Sequence, residues 1–316
     1  MSRCLCCNKE LTGASEYELR TGWHVKCIRR FFGTSHLPAL DCSESELEKL
    51  ANTTVSKGLT VPGVQKKLAL HLETVDRTPR LTIVDYPTGY ILKPQSKEFP
   101  CLPEAEYLVM KMAEKARIRT VPHALISLQG NYAYITKRID RDHDHLYAME
   151  DFCQLSNRVT ADKYKGSYEN CGRIIRKYSR NVGLDNTELF YRLLFCFVTG
   201  NSDMHLKNFS LIEDQPASRI FFLSPAYDLL PVNIIMPSDK EQMALTVNGK
   251  KRNIRKKDFM ALADSLGIAS KAASGMLAQI LRYKDTFLSE IRNSYLPDNM
   301  KTDLQELVEA RIKILL

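Results

Sequence analysis

Apolar positions along the chain fall into two regimes. From about residue 59 to 139 they alternate with polar ones, as a strand with one covered face requires. KLALHLE sets Leu68, Leu70 and Leu72 on one face, and RLTIVD and GYILK follow after short polar turns. VPHALISL and YAYITKRI predict a hairpin around Gln129-Gly130-Asn131, and EAEYLVMKMAEKA ahead of them predicts a helix. Beyond Asp140 the spacing becomes helical. SYENCGRIIRKYS, TELFYRLLFCFVT, FMALADSLG, ASGMLAQILRYKDTFLSEI and TDLQELVEARIKILL all carry apolar residues at helical intervals. One more hairpin is expected in MALTVNGKKRNI, where Asn248-Gly249 suits a tight two-residue turn. SESELEKLAN (43–52) reads as a helix, with Ser43 and Glu46 spaced as a capping box. Residues 1–35 are Cys-rich, lack periodicity and read as a small appendage.

This order predicts an α+β protein, a strand-rich lobe followed by a helical lobe, with a cleft expected between them. The expected segments are 1–44, Cys-rich; 45–145, the N-terminal lobe; and 146–316, the helical lobe. With 316 residues, 44% of them hydrophobic, the chain can build a sizeable core. No apolar run approaches a membrane span, and MSRCLCCNKE lacks the apolar centre of a signal peptide. Nine cysteines without an export signal point to free thiols or a metal rather than a disulfide framework. The expectation is a cytoplasmic protein with no membrane partner. Its net charge of +8 is spread along the chain, which adds little to any nucleic-acid reading.

The densest chemistry lies in GNSDMHLKNFSL, where Asp203, His205, Lys207 and Asn208 fall within six residues. Phosphoryl transfer needs a carboxylate to orient the attacking hydroxyl and oxygen ligands for Mg2+. An Asp followed five positions later by an Asn supplies both from one turn, and Asp228 in FFLSPAYDLLP offers a second metal-binding carboxylate. A polar turn capping two elements would use the same residue types. His205 reads as a loop-orienting residue ahead of a metal ligand, because no HExxH pattern accompanies it. Lys207 could touch a transferring phosphoryl group or lie in solvent. Further upstream, LTVPGVQKKLAL contains a turn at Pro62-Gly63 that could present amides to phosphate, with Thr60 as a nearby hydroxyl. Lys93 ends an apolar strand, where a nucleotide-phosphate lysine would stand. Glu106 on the next helix is its expected partner, with Glu104 as competitor. Turn loop, Lys strand, Glu helix, hairpin, helices, Asp-x4-Asn and later Asp is the order in which a bilobal kinase sets out its parts.

Two further groups stand outside that series. Cys4-x-x-Cys7 and His24-x-x-Cys27 offer four ligands at the close spacing of a tetrahedral Zn2+ site, with Cys6 as a spare and reduced thiols as the alternative. The basic run Lys250-Lys251-Arg252 with Arg255-Lys256-Lys257 could grip an anionic partner, or form a solvated face.

The motif set resembles the HipA-type serine/threonine kinases of bacterial toxin–antitoxin systems. GNSDMHLKNFSL and LSPAYDLLP match that family's catalytic and metal-binding signatures, PGVQKKLAL its glycine-containing loop, and YILKP, AEYLVMKMA and EDFCQL further blocks. The resemblance runs from about residue 45 to the C-terminus. It implies a bilobal protein-kinase-like fold using ATP and Mg2+, with Asp203 catalytic, Asn208 and Asp228 on the metal, and Lys93 on the phosphates supported by Glu106. It places Lys137 and Ile139 in the segment that holds adenine, and Gln154, His205 and Lys207 around the nucleotide. Thr60 takes a serine position in the loop that this family autophosphorylates, while Pro62 takes another. About 58 residues precede that loop, which is similar to the short HipT-type kinases. The implied partners are a protein substrate such as an aminoacyl-tRNA synthetase, a HipS-like and a HipB-like antitoxin, and DNA only through the antitoxin. A non-catalytic ATP-binding component of an antitoxin–DNA complex is the alternative, and a metal hydrolase using Asp203 and His205 ranks below both.

Overall fold

In a computed structural model of the chain, residues 2–40, 67–76, 78–82, 89–142 and 145–316 are described. The helix expected at 43–52 and the loop carrying Thr60, Pro62 and Gly63 lie outside those residues. The chain divides into two compact units, Met1–Tyr107 with Val121–His143, and Leu108–Thr120 with Asp144–Leu316.

The first unit is built on a six-stranded sheet. Its strands are β1 (Ala39–Leu40), β2 (Leu68–Val75), β3 (Thr78–Thr82), β4 (Tyr90–Lys93), β5 (His123–Leu128) and β6 (Asn131–Lys137), in the order β1-β3-β2-β4-β6-β5. All neighbours are antiparallel except β1 and β3. The predicted hairpin joins β5 to β6. Gln129 and Gly130 alone form its turn, both at positive φ, and Asn131 already pairs with Leu128. Alternation in β2 buries Leu68 and Leu70 and leaves Leu72 half-exposed. In β5 and β6 four consecutive residues are buried, so both faces of the sheet are covered there.

The Cys-rich start is no appendage, because it belongs to this same unit. It forms helices α1 (Glu16–Thr21) and α2 (Val25–Phe32), and Ser15 and Glu18 close a capping box at the first. Trp23 packs on Phe31 and Phe32, and these two pack on Tyr90 of β4, with ring centroids 5.4 to 5.9 Å apart. The Leu125 amide of β5 donates to the Leu5 carbonyl at 2.8 Å. Aperiodic residues could not show this from the sequence, because the apolar partners come from distant strands.

The second unit is helical around α6 (Val182–Val198), which is buried without interruption from Leu189 to Val198. Ahead of it come α3 (Leu102–Lys115), which begins in the first unit, α4 (Phe152–Leu155) and α5 (Tyr168–Tyr178). Behind it come α7 (Val232–Ile235), α8 (Lys256–Ser265), α9 (Ser270–Arg282), α10 (Lys284–Arg292) and α11 (Asp298–Leu315). A three-stranded antiparallel sheet, β7 (Met149–Asp151), β8 (Ser210–Glu213) and β9 (Phe221–Leu223), lies in the order β9-β8-β7. The run predicted as one helix over ASGMLAQILRYKDTFLSEI breaks at Tyr283, which ends α9 and starts α10 while its ring stacks on Phe287. No helix among the described residues is long and apolar enough to cross a membrane.

The second predicted hairpin reduces to its turn. Asn248 and Gly249 have positive φ and Val247 bridges Lys250, but Thr246 pairs with Gly166 and Ser167 instead of extending a ribbon. The turn is held by Asp258, fully buried on α8. Its Oδ1 accepts from Asn248 Nδ2 at 3.0 Å and Lys250 Nζ at 2.8 Å, and its Oδ2 accepts from the Arg255 amide at 2.9 Å. The basic run is therefore partly engaged within the unit: Lys250 on Asp258, Lys251 on Glu241, and Lys256 on the Leu316 carbonyl.

Burial alone would raise the Asp258 carboxyl, but the donors from Lys250, Asn248 and Arg255 hold it below the ordinary carboxylate value. A carboxyl lowered on folding stabilises the fold above its unfolded pKa, about 3.9, and loses that contribution as pH falls through the lowered value. Asp258→Asn is expected to cost on the order of 1–3 kcal/mol at neutral pH and to flatten the acid limb of stability. Urea denaturation across pH measures both.

Candidate active site

The residues singled out by the sequence fall into two groups, one in each unit. In the first, alternation along β4 puts Tyr90 and Lys93 on opposite faces of the sheet, Tyr90 against α2 and Lys93 toward α3. Lys93 Nζ donates to Glu106 Oε1 at 2.6 Å, with the two side chains 3% and 0% exposed. The ammonium also lies 5.2 Å from the centroid of the Tyr134 ring. Of the two acids offered by the helix, Glu106 forms the pair, while burial raises the carboxyl of Glu104. Lys137 ends β6 opposite Tyr90 with an exposed side chain, and Ile139 is half-buried two residues on. Between them Arg138 binds Asp140, Nε to Oδ1 at 2.9 Å.

The second group hangs from the C-terminus of α6. The helix stops at Thr199, and Gly200 turns the chain at φ +69°, where a β-carbon would sit 3.0 Å from two methyls of Leu307. Only glycine meets both demands. The loop that follows is cross-braced. Asn201 Oδ1 accepts from the Asp203 amide at 3.2 Å, Ser202 donates to Asp239 at 2.6 Å, and Tyr168 donates to the Met204 carbonyl at 3.0 Å. Asn208 Nδ2 returns to the Asp203 carbonyl at 2.8 Å, so the two residues share one hydrogen-bonded turn. The Asp203 carboxylate is 39% exposed and accepts from the Tyr164 hydroxyl at 2.5 Å.

Asp228 follows β9 at φ +55°, a left-handed conformation that a non-glycine residue adopts at a cost. Its neighbour Tyr227 donates to the Lys207 carbonyl at 3.1 Å and meets Ser210 Oγ at 2.5 Å. The turn carrying Asp228 is thereby tied to the loop carrying Asn208. The segment leading into it is clamped from two sides. Arg192 Nη2 donates to the Ser224 carbonyl at 3.0 Å, Arg119 Nη2 donates to the Leu223 carbonyl at 3.1 Å, and the Ala226 amide donates to Arg119 O at 2.7 Å.

The remaining members are supports. His205 is buried, its ring edge-on to Tyr164 with Nε2 4.0 Å from Asp203 Oδ1. Lys207 Nζ binds Asp151 Oδ2 at 2.7 Å, and Gln154 forms a capping box with the same Asp151 at the start of α4. Tyr164, Tyr227 and Arg192 are among the contributors not singled out from sequence, as are Arg119, Tyr168, Asp151 and Asp239. Tyr227 sits inside the quoted YDLLP and Arg192 interrupts an apolar run, so both carried a signal. Tyr164, in ADKYKGS, carried none.

Comparison with known proteins bears on this arrangement. Residues 59–286 match the HipA-like C-terminal domain. The chain belongs to that family. "Putative kinase Y4mE" of Sinorhizobium fredii is 30% identical over 209 residues, covering 63% of this chain and 48% of its own. A protein of Haemophilus influenzae also named a "Putative kinase" is 27% identical over 241 residues, covering 72% and 68%. The chain thus spans about half the length of the first of these curated relatives. Among solved structures, Shewanella oneidensis HipA, in complex with HipB and its operator DNA, has a TM-score of 0.67 at 19% identity over 80% of this chain and 64% of that one. The Helicobacter pylori proinflammatory kinase CtkA has a TM-score of 0.55 at 16% identity, covering 74% and 87%. The fold of this HipA-like chain is that of the HipA and CtkA structures, an α+β protein-kinase-like fold.

The ion pair is testable apart from any chemistry. Removing one member of a buried pair costs on the order of 3–5 kcal/mol, so Lys93→Met and Glu106→Gln should each destabilise the fold by roughly that amount. The combined variant should lose clearly less than the sum, as coupled neighbours do. Urea denaturation of all four forms measures the coupling, and strictly additive losses would contradict it.

Proposed function

We propose that this HipA-like chain is an ATP- and Mg2+-dependent serine/threonine protein kinase. The observation that carries the reading is the hydrogen-bonded frame in the second unit, which ties Asp203 to Asn208 directly and Asp228 to the same loop through Tyr227. That is the Asp-x4-Asn and later Asp set that phosphoryl transfer uses. Membership of the HipA-like family and the kinase names of its relatives support it.

In this reading a substrate Ser or Thr hydroxyl takes the place on Asp203 that the Tyr164 hydroxyl now occupies. Its proton passes to the carboxylate as the oxygen bonds to the γ-phosphorus of ATP. The bridging P–O bond breaks and ADP leaves with the electron pair. The amide oxygen of Asn208 and the carboxylate of Asp228 are hard donors suited to Mg2+, which when bound offsets charge on the phosphates. Lys93 contacts those phosphates and Glu106 holds the ammonium in place. Lys137 and Ile139 line the adenine position. Gln154, His205 and Lys207 brace the loop around the nucleotide, His205 through Tyr164 and the other two through Asp151. Thr60 is the regulatory autophosphorylation site. The wider assignment is a cytoplasmic toxin acting on a translation-related protein such as an aminoacyl-tRNA synthetase. HipS-like and HipB-like partners restrain it, and DNA is reached only through the HipB-like one; the Shewanella structure, in which HipA is in complex with HipB and its operator DNA, supports an antitoxin partner.

Incubation with radiolabelled ATP and Mg2+ tests the core of this. Wild type should transfer label to protein. Asp203→Ala and Asp228→Ala should reduce transfer by at least about 10^3-fold, within the range of a lost electrostatic and proton-accepting group. Asp203→Ala should still bind nucleotide. Folded, nucleotide-binding wild type that transfers nothing would instead favour the reading as an ATP-binding component of an antitoxin–DNA complex.

A further inference from the structure

The four N-terminal ligands come together although 16 residues separate Cys7 from His24. Cys4, Cys7, His24 and Cys27 present one donor atom each, all within 4.8 Å of one another. Cys7 Sγ lies 3.5 Å from His24 Nδ1. Zinc bond lengths of about 2.3 Å to sulfur and about 2.0–2.1 Å to nitrogen, at tetrahedral angles, place a sulfur and a nitrogen ligand about 3.5 Å apart. The contact therefore has the length of one edge of a zinc tetrahedron.

The backbone is shaped for the same end. Asn8, one residue past Cys7, adopts φ +58°, and its amide donates to the Cys4 carbonyl at 2.9 Å, which folds Cys4 to Cys7 into a knuckle. A bridge between Arg3 and Glu10 closes the ribbon behind it. His24 sits at the N-cap of α2 and Cys27 in its first turn, so both point from one helix end. The His24 amide donates to Cys4 Sγ at 3.4 Å, which ties the start of α2 to the knuckle. Cys6 is buried between Cys4 and Cys7 but is not a member of the cluster, so thiol density alone does not define the group.

We propose that Cys4, Cys7, His24 and Cys27 bind one Zn2+ as a closed structural site, and that this site anchors the N-terminal segment to the six-stranded sheet. Three thiolates with one imidazole are a donor set that zinc favours, and four protein ligands leave no position for a reacting group. The anchoring follows from what flanks the ligands. Leu5 lies between Cys4 and Cys7; its carbonyl accepts from Leu125 of β5, and its amide donates to Gly22, two residues before His24. Trp23, next to His24, packs on Phe31 and Phe32, and these two pack on Tyr90 of β4. Tying the knuckle to α2 holds both contacts to the sheet at once. The proposal does not rest on phosphoryl transfer.

Metal analysis of the full chain, purified without chelator, tests it. Wild type should carry about one zinc per chain, as one tetrahedral site requires. Substitution with Co2+ should give the intense visible bands of a tetrahedral site and a thiolate-to-metal charge-transfer band. Cys6→Ala should keep both metal content and spectrum. Cys7→Ser and Cys27→Ser should lose bound metal at least tenfold, and chelation of wild type should lower its melting temperature. Should those variants not fold, the wild-type cobalt spectrum with the Cys6→Ala control still decides. Wild type that holds no zinc after equilibration with Zn2+, or that gives an octahedral cobalt spectrum, would overturn the proposal.

Discussion

Arg192 is fully buried in the otherwise apolar second half of α6, and its Nη2 donates both to the Ser224 carbonyl and to Glu188. Among the described residues its Nε and Nη1 meet no hydrogen-bond partner. A buried cation held by one carbonyl and one half-exposed carboxylate is costly to desolvate, and replacing Arg192 and Glu188 together by well-packed apolar side chains would often be neutral or stabilising. What the guanidinium does is fix α6 against the strand end that leads to Asp228. The same helix ends at Val198, six residues further on, and the turn at Gly200 that follows delivers Asp203. Both acidic residues thus take their positions from one helix, Asp228 through a hydrogen bond from its middle and Asp203 through its end. A side chain without directional donors could fill the space but would not set that register.

The first unit solves a related problem differently. There the charge is a pair, and its two members arrive on elements of different geometry, a strand and a helix. Lys93 can meet Glu106 only if β4 keeps its alternation in register, because a slip of one residue would turn the lysine to the opposite face. Register in β4 is held by β2 on one side and β6 on the other, and Tyr90, on the face opposite Lys93, is held by Phe31 and Phe32. The aromatic contact and the ion pair are two ends of one constraint. This is the physical reason the Cys-rich segment matters to the position of Lys93.

How much of this was legible in the sequence depended on the range of the interaction. Lys93, Glu106, Asp203 and Asn208 could be read because strand alternation, helix position and loop spacing are local, and their contacts fall where those periods put them. The hairpin at Gln129-Gly130 was legible for the same reason. The Asn248-Gly249 turn was read correctly, but its flanking strands were not, since Asp258 and the Gly166–Ser167 segment captured the residues that a ribbon would have paired. The break at Tyr283 was hidden because no glycine or proline marks it. The place of the N-terminal segment was hidden because its apolar residues have no period of their own, and the segment is tied to strands up to 120 positions away, as the Leu5 carbonyl is to the Leu125 amide.

Tyr164 shows what a local reading cannot reach even near the centre of the site. Its hydroxyl donates to Asp203 across 39 positions of sequence, while its ring is flanked by the edge of His205 and by the ammonium of Lys163. Burial first, and then the charge of Asp203, pushes the phenol well above its ordinary value, so it stays protonated and can only donate to the carboxylate. Asp203 is thereby defined as an acceptor for hydroxyl groups by its own surroundings. The carboxylate is also 39% exposed, so the tyrosine satisfies it without sealing it from solvent.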